Sequence, residues 1–261
     1  MRIRPKKRLG QNFLIDKNIQ RKIVESSGLS VSDVVLEIGA GRGEITSLLS
    51  RKAGFVYALE IDAALCEILE VNLAGLDNVE VLKGDVLKFD FKNLFAKINR
   101  EVKVIGNIPY YITTPIIERL LEHREKISSV FIMVQKEFAL RAVSGPGSKV
   151  FGSLSCFLQY YTAPKILFPI SRSCFYPAPK VDSCFLQLSM RKEPAVKVND
   201  EGLFLKIIRA GFNKRRKILR NSLKDIIPQR KLSEFFQKYG IDKNTRPERL
   251  GLSDFANLAN L

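Results

Sequence analysis

The chain has 261 residues, of which 46% are hydrophobic, so it can bury one large α/β core and still supply a second, smaller domain. Its formal net charge of +16 exceeds what solubility requires and favours a polyanionic partner, either nucleic acid or an acidic membrane surface. Four cysteines without a CxxC pair and a single histidine, His123, are too few ligands for a zinc site or a disulfide framework, so we expect no metal.

The positive charge lies at the two ends of the chain. Lysine and arginine exceed aspartate and glutamate by 7 in residues 1–22 and by 9 in residues 191–261, whereas residues 23–190 are neutral. No stretch approaches the roughly 18 apolar residues of a membrane span, and the basic start lacks the apolar run of a secretion signal. We therefore expect a cytoplasmic protein that binds nucleic acid and not a membrane.

Short apolar runs rich in β-branched residues alternate with amphipathic segments in the first half of the chain. This alternation predicts an α/β fold with a doubly wound, mostly parallel sheet. The predicted strands are VVLEIG at 34–39, FVYALE at 55–60, VEVLKGD at 79–85, VKVIGN at 102–107 and SVFIMVQ at 129–135. Ligands of such sheets bind beyond the carboxyl ends of the strands, where the first four runs place glycines or polar residues.

A glycine-rich loop, residues 37–43, follows the first predicted strand and is expected to open a helix at Glu44. Its glycines, including Gly39 and Gly41, let the backbone approach a ligand closely. The dinucleotide fingerprint G-x-G-x-x-G would require a third glycine where Glu44 stands, and that carboxylate would repel a pyrophosphate. Taken alone, the loop is equally compatible with a simple tight turn.

Two acidic residues end the strands that follow. Glu60 comes 17 residues after Gly43, where its carboxylate can accept hydrogen bonds from a ribose diol. Asp85 closes the next strand and can accept from an exocyclic adenine amine. With the glycine loop, these acids predict a pocket for an adenosine that carries a cationic sulfonium rather than phosphates.

The tetrapeptide Asn107-Ile-Pro-Tyr110 ends the fourth predicted strand and is the most specific feature of the sequence. It resembles the (Asn/Asp)-Pro-Pro-(Tyr/Phe) signature of methyltransferases that act on exocyclic amino groups. Such an amine is a poor nucleophile, because its lone pair is delocalised into the ring. Two fixed acceptors, the Asn107 side-chain oxygen and a backbone carbonyl near Ile108 or Pro109, would align it with the methyl group. Tyr110 would stack on the adenine, and Phe175 would cover its other face.

Beyond residue 150 the pattern changes. Prolines in FGSLSCFLQYYTAPKILFPI and FYPAPKVDSCFLQLSM argue against a helix, and the alternation of Cys184, Leu186 and Leu188 predicts a closing antiparallel hairpin. A charged, proline-containing linker follows. We therefore predict a catalytic domain over residues 1–192 and a small all-helical domain over residues 193–261. The segments with helical spacing in the second domain are 202–223, 230–239 and 253–260.

The run GFNKRRKILRNSL places five positive charges within two helical turns, next to an apolar side. Arginine can bind phosphates through two hydrogen bonds, so contact with an RNA backbone is the functional interpretation, and a solvated charged face is the alternative. The predicted RNA-binding residues are Arg215, Arg216, Lys217 and Arg220.

From residue 7 almost to its end, the chain resembles the ribosomal RNA adenine dimethyltransferase family. The blocks that carry the resemblance are KRLGQNFL, EIGAGRGEIT, NIPYYITTPI, FYPAPKVDS, and FNKRRKILRNSL followed by RPERLGLSDFANL. The resemblance implies a class I methyltransferase (Rossmann-like) fold with S-adenosylmethionine as cofactor. It also implies that the N-terminal segment covers the cofactor through Asn12 and Leu14, together with Gly39, Glu60, Asp85 and Asn107. One departure is Ser171–Cys174, where members commonly carry a proline just before the stacking phenylalanine.

The same resemblance implies dimethylation of two adjacent adenines near the 3′ end of small-subunit ribosomal RNA, late in subunit assembly. The expected partner is that RNA or a pre-assembled small subunit, bound by a monomer. Two alternatives remain. One is a macrolide-resistance methyltransferase that modifies one adenine of large-subunit RNA, and the other is a nucleic-acid-binding or assembly factor on a methyltransferase scaffold.

Overall fold

The computed structural model describes residues 5–213 and 217–261, which form two compact units. The first unit comprises the chain up to Ala139 and Lys165–Met190; the second comprises Leu140–Pro164 and Arg191–Leu261. This division differs from the predicted boundary after residue 192, because Leu140–Pro164 belongs with the C-terminal helices. Among the described residues, no helix is both long and apolar enough to cross a membrane.

The described residues form nine strands: β1 (Phe13–Leu14), β2 (Val34–Ile38), β3 (Phe55–Glu60), β4 (Val79–Lys83), β5 (Val102–Gly106), β6 (Ile127–Gln135), β7 (Thr162–Ile170), β8 (Phe175–Tyr176) and β9 (Ser183–Met190). Seven of these strands make one sheet in the order β4-β3-β2-β5-β6-β9-β7, while β1 pairs with β8 in a separate ribbon. Strands β2 to β6 are parallel, and β9 is antiparallel to β6. The predicted doubly wound, mostly parallel sheet is confirmed.

The same described residues form eleven α-helices: α1 (Lys17–Ser26), α2 (Glu44–Ser50), α3 (Ala63–Asn72), α4 (Phe91–Ala96), α5 (Thr113–Leu121), α6 (Lys136–Val143), α7 (Ser153–Tyr161), α8 (Glu201–Asn213), α9 (Leu219–Leu223), α10 (Gln229–Tyr239) and α11 (Leu252–Ala259). Aspartates begin three of them: Asp16 before α1, Asp62 before α3 and Asp90 before α4. Each carboxylate accepts a hydrogen bond from a first-turn amide that has no partner within the helix.

Strand β2 lies where the strand order reverses, with β3 and β4 on one side and β5 and β6 on the other. Parallel sheets leave a crevice at the carboxyl ends of the strands at such a point. Ile38, the last residue of β2, is in register with Gly106, the last residue of β5. The next residues along each strand, Gly39 and Asn107, are therefore neighbours.

The five predicted strands appear as β2 to β6, with ends that differ by at most two residues. The prediction that prolines exclude helix between residues 151 and 190 is wrong, because Ser153–Tyr161 forms α7. Pro164 lies beyond the last residue of that helix, within β7, so it cannot interrupt the helical hydrogen bonds upstream. Strand β9 closes the sheet against β6 and has β7 as its other neighbour, which agrees with the predicted closing strands.

The sheet unit has an apolar core on the face that α1 and α2 cover. Four fully buried side chains belong to this core. They are Val35, Val56 and Ile105 from adjacent strands and Phe185 from β9. Burial of each such side chain stabilises the fold by roughly 1.5 to 3 kcal/mol. The three central strands are therefore held firmly, and their carboxyl ends are fixed relative to one another.

The second unit is helical, as predicted. The hydroxyl groups of Tyr160 and Tyr161 in α7 donate to the Glu201 carboxylate at the start of α8, at 3.3 and 2.7 Å. The predicted helix 202–223 is not continuous, since α8 ends at Asn213 and α9 begins at Leu219. Ile218 is extended (ψ 154°), and the Leu219 amide donates to the Thr245 carbonyl at 2.8 Å instead of to a helical carbonyl.

Candidate active site

A cleft at the carboxyl edge of the parallel strands brings together most of the predicted site residues. It has two adjoining lobes with about 550 and 450 Å³ of empty space. The predicted residues that line it are Asn12, Gly39, Gly41, Glu60, Asp85, Asn107, Pro109 and Tyr110. These volumes include open solvent at the mouth of the cleft, and the two lobes share part of their lining, so they form one continuous depression.

The glycine loop forms the floor of this cleft and continues into α2 at Glu44, as predicted. Gly39 and Gly41 adopt positive φ angles of 76° and 63°, which side chains with a Cβ rarely tolerate. A Cβ on Gly39 would also lie 2.9 Å from the Asn107 carbonyl oxygen. The absence of a side chain at Gly39 is therefore what lets the ends of β2 and β5 approach.

Glu60 is a buried carboxylate in the wall of both lobes. Its Oε2 accepts from the Gly41 amide at 2.9 Å, and its Oε1 accepts from the Ile61 and Asp62 amides at 3.0 and 2.9 Å. Burial raises the pKa of Glu60 above its ordinary value, although these three amides oppose the rise. A carboxylate has about four acceptor positions and these amides occupy three, so Glu60 retains acceptor capacity for a ligand hydroxyl.

Asp85 lies at the second lobe and is half-buried. Its Oδ1 accepts from the Leu87 amide at 3.0 Å. Within the described residues, Oδ2 has no hydrogen-bond partner, so it can accept from an adenine amine as the sequence predicts.

The Asn107 side chain has a defined orientation. Its Nδ2 donates to the Asn12 carbonyl at 3.0 Å, which leaves Oδ1 as the free acceptor of the amide. The Pro109 carbonyl accepts from the Ile112 amide at 3.2 Å, whereas the Ile108 carbonyl has no donor in the described part of the chain. Of the two backbone carbonyls that the sequence leaves open, Ile108 is therefore the better second acceptor.

Tyr110 is half-buried at the cleft, and its hydroxyl forms a short hydrogen bond with the buried Ser183 hydroxyl at the start of β9. Burial raises the pKa of the Tyr110 phenol, so the group stays protonated at neutral pH. The bond to Ser183 fixes the ring and supports a passive, stacking role.

Two predicted residues, Leu14 and Phe175, are absent from the lining of both lobes. They face each other across the β1–β8 ribbon, and their side chains are 6% and 3% exposed within the apolar core. The preceding cross-strand pair, Phe13 and Tyr176, lies on the opposite face, because side chains alternate along a strand. Phe13 lines the cleft and Tyr176 is 58% exposed. The expectation that Phe175 offers a ring face to the base is therefore not met.

Several lining residues were not predicted. Among them are Leu9, Gly10, Gln11, Phe13, Ile61 and Tyr111. The block KRLGQNFL contains four of them, so it is a wall of the cleft over most of its length and not only at Asn12. Ile61 and Tyr111 are immediate neighbours of Glu60 and Tyr110 along the chain.

Glu37, in the strand that leads into the glycine loop, is 2% exposed, and its Oε2 has no hydrogen-bond partner among the described residues. Burial raises its pKa to about 8, and the nearby carboxylates of Glu44 and Glu60 add to the rise. Glu37 is therefore protonated at neutral pH, so this buried side chain adds no negative charge beneath the cleft.

Of the four predicted RNA-binding residues, Arg215 and Arg216 lie outside the described residues. Lys217 and Arg220 are exposed on either side of the start of α9.

His123 packs edge-on against Phe91 and Phe95, with ring centroids 5.7 Å apart in both pairs. In residues 5–213 and 217–261, no group of three His, Cys, Asp or Glu side chains could hold a metal ion.

The family model described as ribosomal RNA adenine dimethylase matches residues 2–261. The chain belongs to the ribosomal RNA adenine dimethylase family. Relatives named ribosomal RNA small subunit methyltransferase A include one from Moorella thermoacetica, 44% identical over 98% of this chain and 91% of the relative. Another, from Geobacillus thermodenitrificans, is 43% identical over 98% of this chain and 90% of its own length.

Two solved structures share the fold of this chain over nearly its whole length. A dimethyladenosine transferase from Plasmodium falciparum superposes with a TM-score of 0.81 and 25% identity, over 94% of this chain and 95% of that one. The 23S rRNA methyltransferase ErmE gives a TM-score of 0.75 and 26% identity, over 95% and 98% of the two chains. The dimethylase family membership makes the protein an S-adenosylmethionine-dependent ribosomal RNA methyltransferase.

The residues of the cleft fit this cofactor. Gly39 leaves space that a Cβ would fill, and Glu60 has one acceptor position left for a hydroxyl group. Asp85 offers a carboxylate oxygen in the second lobe, where an adenine amine can donate to it. Among the described residues, no basic side chain lines either lobe, which suits a positively charged sulfonium better than a phosphate.

Proposed function

We propose that the protein dimethylates the N6 amino groups of two adjacent adenines near the 3′ end of small-subunit ribosomal RNA, as a late step in ribosomal subunit assembly. Its substrate is this RNA, free or in a pre-assembled small subunit, and the protein acts as a monomer. The name of the relative from Moorella thermoacetica supports the choice of subunit, and the dimethyladenosine transferase from Plasmodium falciparum supports adenine dimethylation.

The orientation of the Asn107 amide carries this proposal. With Nδ2 bound to the Asn12 carbonyl, Oδ1 is free to accept one N–H of the adenine amine, and the Ile108 carbonyl is free to accept the other. Two acceptors favour a pyramidal nitrogen and direct its lone pair along one line. Alignment of this kind accelerates the reaction without a strong general base.

S-adenosylmethionine, when bound, supplies an electrophilic methyl group on a positively charged sulfur. Tyr110 positions the base against that group, because its ring is fixed by the hydroxyl contact to Ser183 and can stack on adenine. The target base must leave its stack to enter the cleft, which costs a few kcal/mol and is offset by such contacts. In each transfer the N–CH3 bond forms as the sulfur–methyl bond breaks, and the amine releases one proton to solvent. After the first transfer one N–H remains, so Asn107 and Ile108 together still offer an acceptor for the second.

The competing target is an adenine of large-subunit RNA, since ErmE, a 23S rRNA methyltransferase, shares the fold over nearly the whole chain. To separate these targets, the protein is incubated with labelled S-adenosylmethionine and either unmethylated small-subunit particles or unmethylated large-subunit RNA. Mass spectrometry then identifies the modified nucleoside. Dimethyladenosine at two adjacent small-subunit positions supports the proposal. Label on large-subunit RNA, or binding without label, overturns it.

A further inference from the structure

The N-terminal strap, residues 5–14, forms one wall of the cofactor cleft, and its contacts with the rest of the sheet unit are specific. Five of its residues line the main lobe: Leu9, Gly10, Gln11, Asn12 and Phe13. A ligand in that lobe is therefore enclosed only when the strap is in place.

Asp62 anchors the start of this strap. Its side chain is 1% exposed, and its Oδ1 lies 2.6 Å from Lys6 Nζ. Gln11 Nε2 donates to Asp62 Oδ2 at 3.1 Å, and Gln11 Oε1 accepts from the Lys6 amide at 2.8 Å. Burial would raise the pKa of Asp62, but the Lys6 and Gln11 hydrogen bonds hold it below its ordinary value. Two strap side chains thus converge on one buried carboxylate, and charge-assisted bonds of this kind are the stronger ones.

The anchor is connected directly to the cofactor site. Asp62 follows Glu60 by two residues, and its own amide donates to the Glu60 carboxylate at 2.9 Å. At the other end of the strap, Arg42 of the glycine loop stacks over the Phe13 ring, with 4.8 Å between the guanidinium carbon and the ring centroid. Asn12, between these two attachments, accepts the Asn107 amide hydrogen through its carbonyl.

We propose that Asp62 is a positioning residue that anchors the strap over the cofactor through Lys6 and Gln11, and that the anchored strap orients the Asn107 amide through the Asn12 carbonyl. Retention of the cofactor and alignment of the amine acceptor then depend on the same closed strap. The second half of this inference rests on the proposed role of Asn107, and the first half does not.

Calorimetric binding of S-adenosylhomocysteine, without RNA, tests the anchor. Asp62→Asn removes the charge but keeps an effective helix cap for α3, and Lys6→Met keeps the apolar stem. We expect each variant to raise Kd about ten-fold and the double variant to be little worse, because both remove one shared bond. Arg8→Met, an exposed strap residue with the same charge, is the matched control and should bind normally. Unchanged Kd values, or fully additive effects, overturn the anchor.

Trypsin gives a second readout, because Lys6, Lys7 and Arg8 are cleavage sites within the strap. S-adenosylhomocysteine should protect these sites in the wild type and protect them less in Asp62→Asn at an equal fraction bound. Equal protection would contradict anchoring by Asp62 even if the variant folds less stably.

Turnover at saturating cofactor tests the link to Asn107. If the strap orients the amide, Asp62→Asn lowers kcat several-fold as well as raising KM for S-adenosylmethionine. A change confined to KM would retain the anchor and overturn the orienting role. Since cofactor binding is measured without RNA, failure of the anchor is distinguishable from a wrong assignment of the RNA target.

Discussion

The direction of a single amide decides what Asn107 can do. The tetrapeptide predicts the residue type and its place at a strand end, but an amide offers either a donor or an acceptor to its ligand. The Asn12 carbonyl, 95 residues away along the chain, accepts a hydrogen bond from the Asn107 amide nitrogen. The amide oxygen is therefore free to accept from a ligand. That choice depends on a contact between distant segments and could not be predicted from the local sequence.

We expect Asn107→Ala to lower methylation by at least about 100-fold while RNA affinity changes little, because the variant loses a positioned acceptor and no phosphate contact. Single-turnover assays and filter binding measure the two quantities. Asn93→Ala, an exposed asparagine in α4, serves as the control and should keep full activity. Near-normal turnover by Asn107→Ala would rule out the proposed alignment.

At the scale of elements, the β1–β8 ribbon explains why two predicted site residues, Leu14 and Phe175, are buried. Each of its strands has two residues, so one residue of each pair faces the core and the other faces away. Sequence motifs identify the blocks QNFL and FYPAP but not which residue of each faces the cleft. The antiparallel register decides this, and it places Leu14 and Phe175 in the core.

Phe175→Ala should therefore lower the free energy of unfolding by about 3 to 4 kcal/mol, because it opens a cavity in a packed core. Tyr176→Ala removes a mostly exposed ring and should change stability by less than about 1 kcal/mol. Urea unfolding of the two variants measures the difference. Equal unfolding free energies of the two variants would mean that the Phe175 ring is not packed in the core, and its predicted place beside the base would then stand.

The single helix predicted over residues 202–223 is not formed, because Ile218 is extended and α9 begins only at Leu219. Exposed Lys217 and Arg220 nevertheless remain available for phosphate contacts.

Replacement of Arg215, Arg216 and Arg220 by alanine should weaken RNA binding for all sequences and reduce the slope of log affinity against log salt by about one per lost phosphate contact. Alanine at Arg51, Lys52 and Lys97 removes equal charge from exposed positions in the sheet unit, and the salt slope should stay unchanged. Binding is titrated at several salt concentrations. If the slope falls equally in both triple variants, the loss of affinity comes from the lower net charge of the protein and not from the loss of a binding segment.

At the scale of the whole molecule, the pH dependence of stability follows from Glu37. Its pKa is about 8 in the folded protein and near the ordinary value of 4.5 when the chain is unfolded. A raised acid pKa means that the folded state holds the proton more tightly, so this contribution is complete below pH 4.5 and is lost as pH rises towards 8.

We expect stability to fall by about 2 to 3 kcal/mol between pH 5 and pH 7 through this group. Glu37→Gln, which cannot ionise, should flatten that part of the profile, whereas Glu67→Gln on the exposed side of α3 should not. Thermal unfolding across this pH range is the measurement. An unchanged slope in Glu37→Gln would mean that Glu37 is ionised in the folded protein.

The sequence by itself determined the five parallel strands, the glycine loop, the acids at Glu60 and Asp85, and the Asn107 tetrapeptide, because hydrophobic periodicity and strand-end position are local properties. Tertiary structure alone decided that Leu140–Pro164 belongs with the C-terminal helices, that Leu14 and Phe175 face the core, and that Asp62 holds the strap. These outcomes depend on register and on contacts between residues far apart in sequence, which no local pattern encodes.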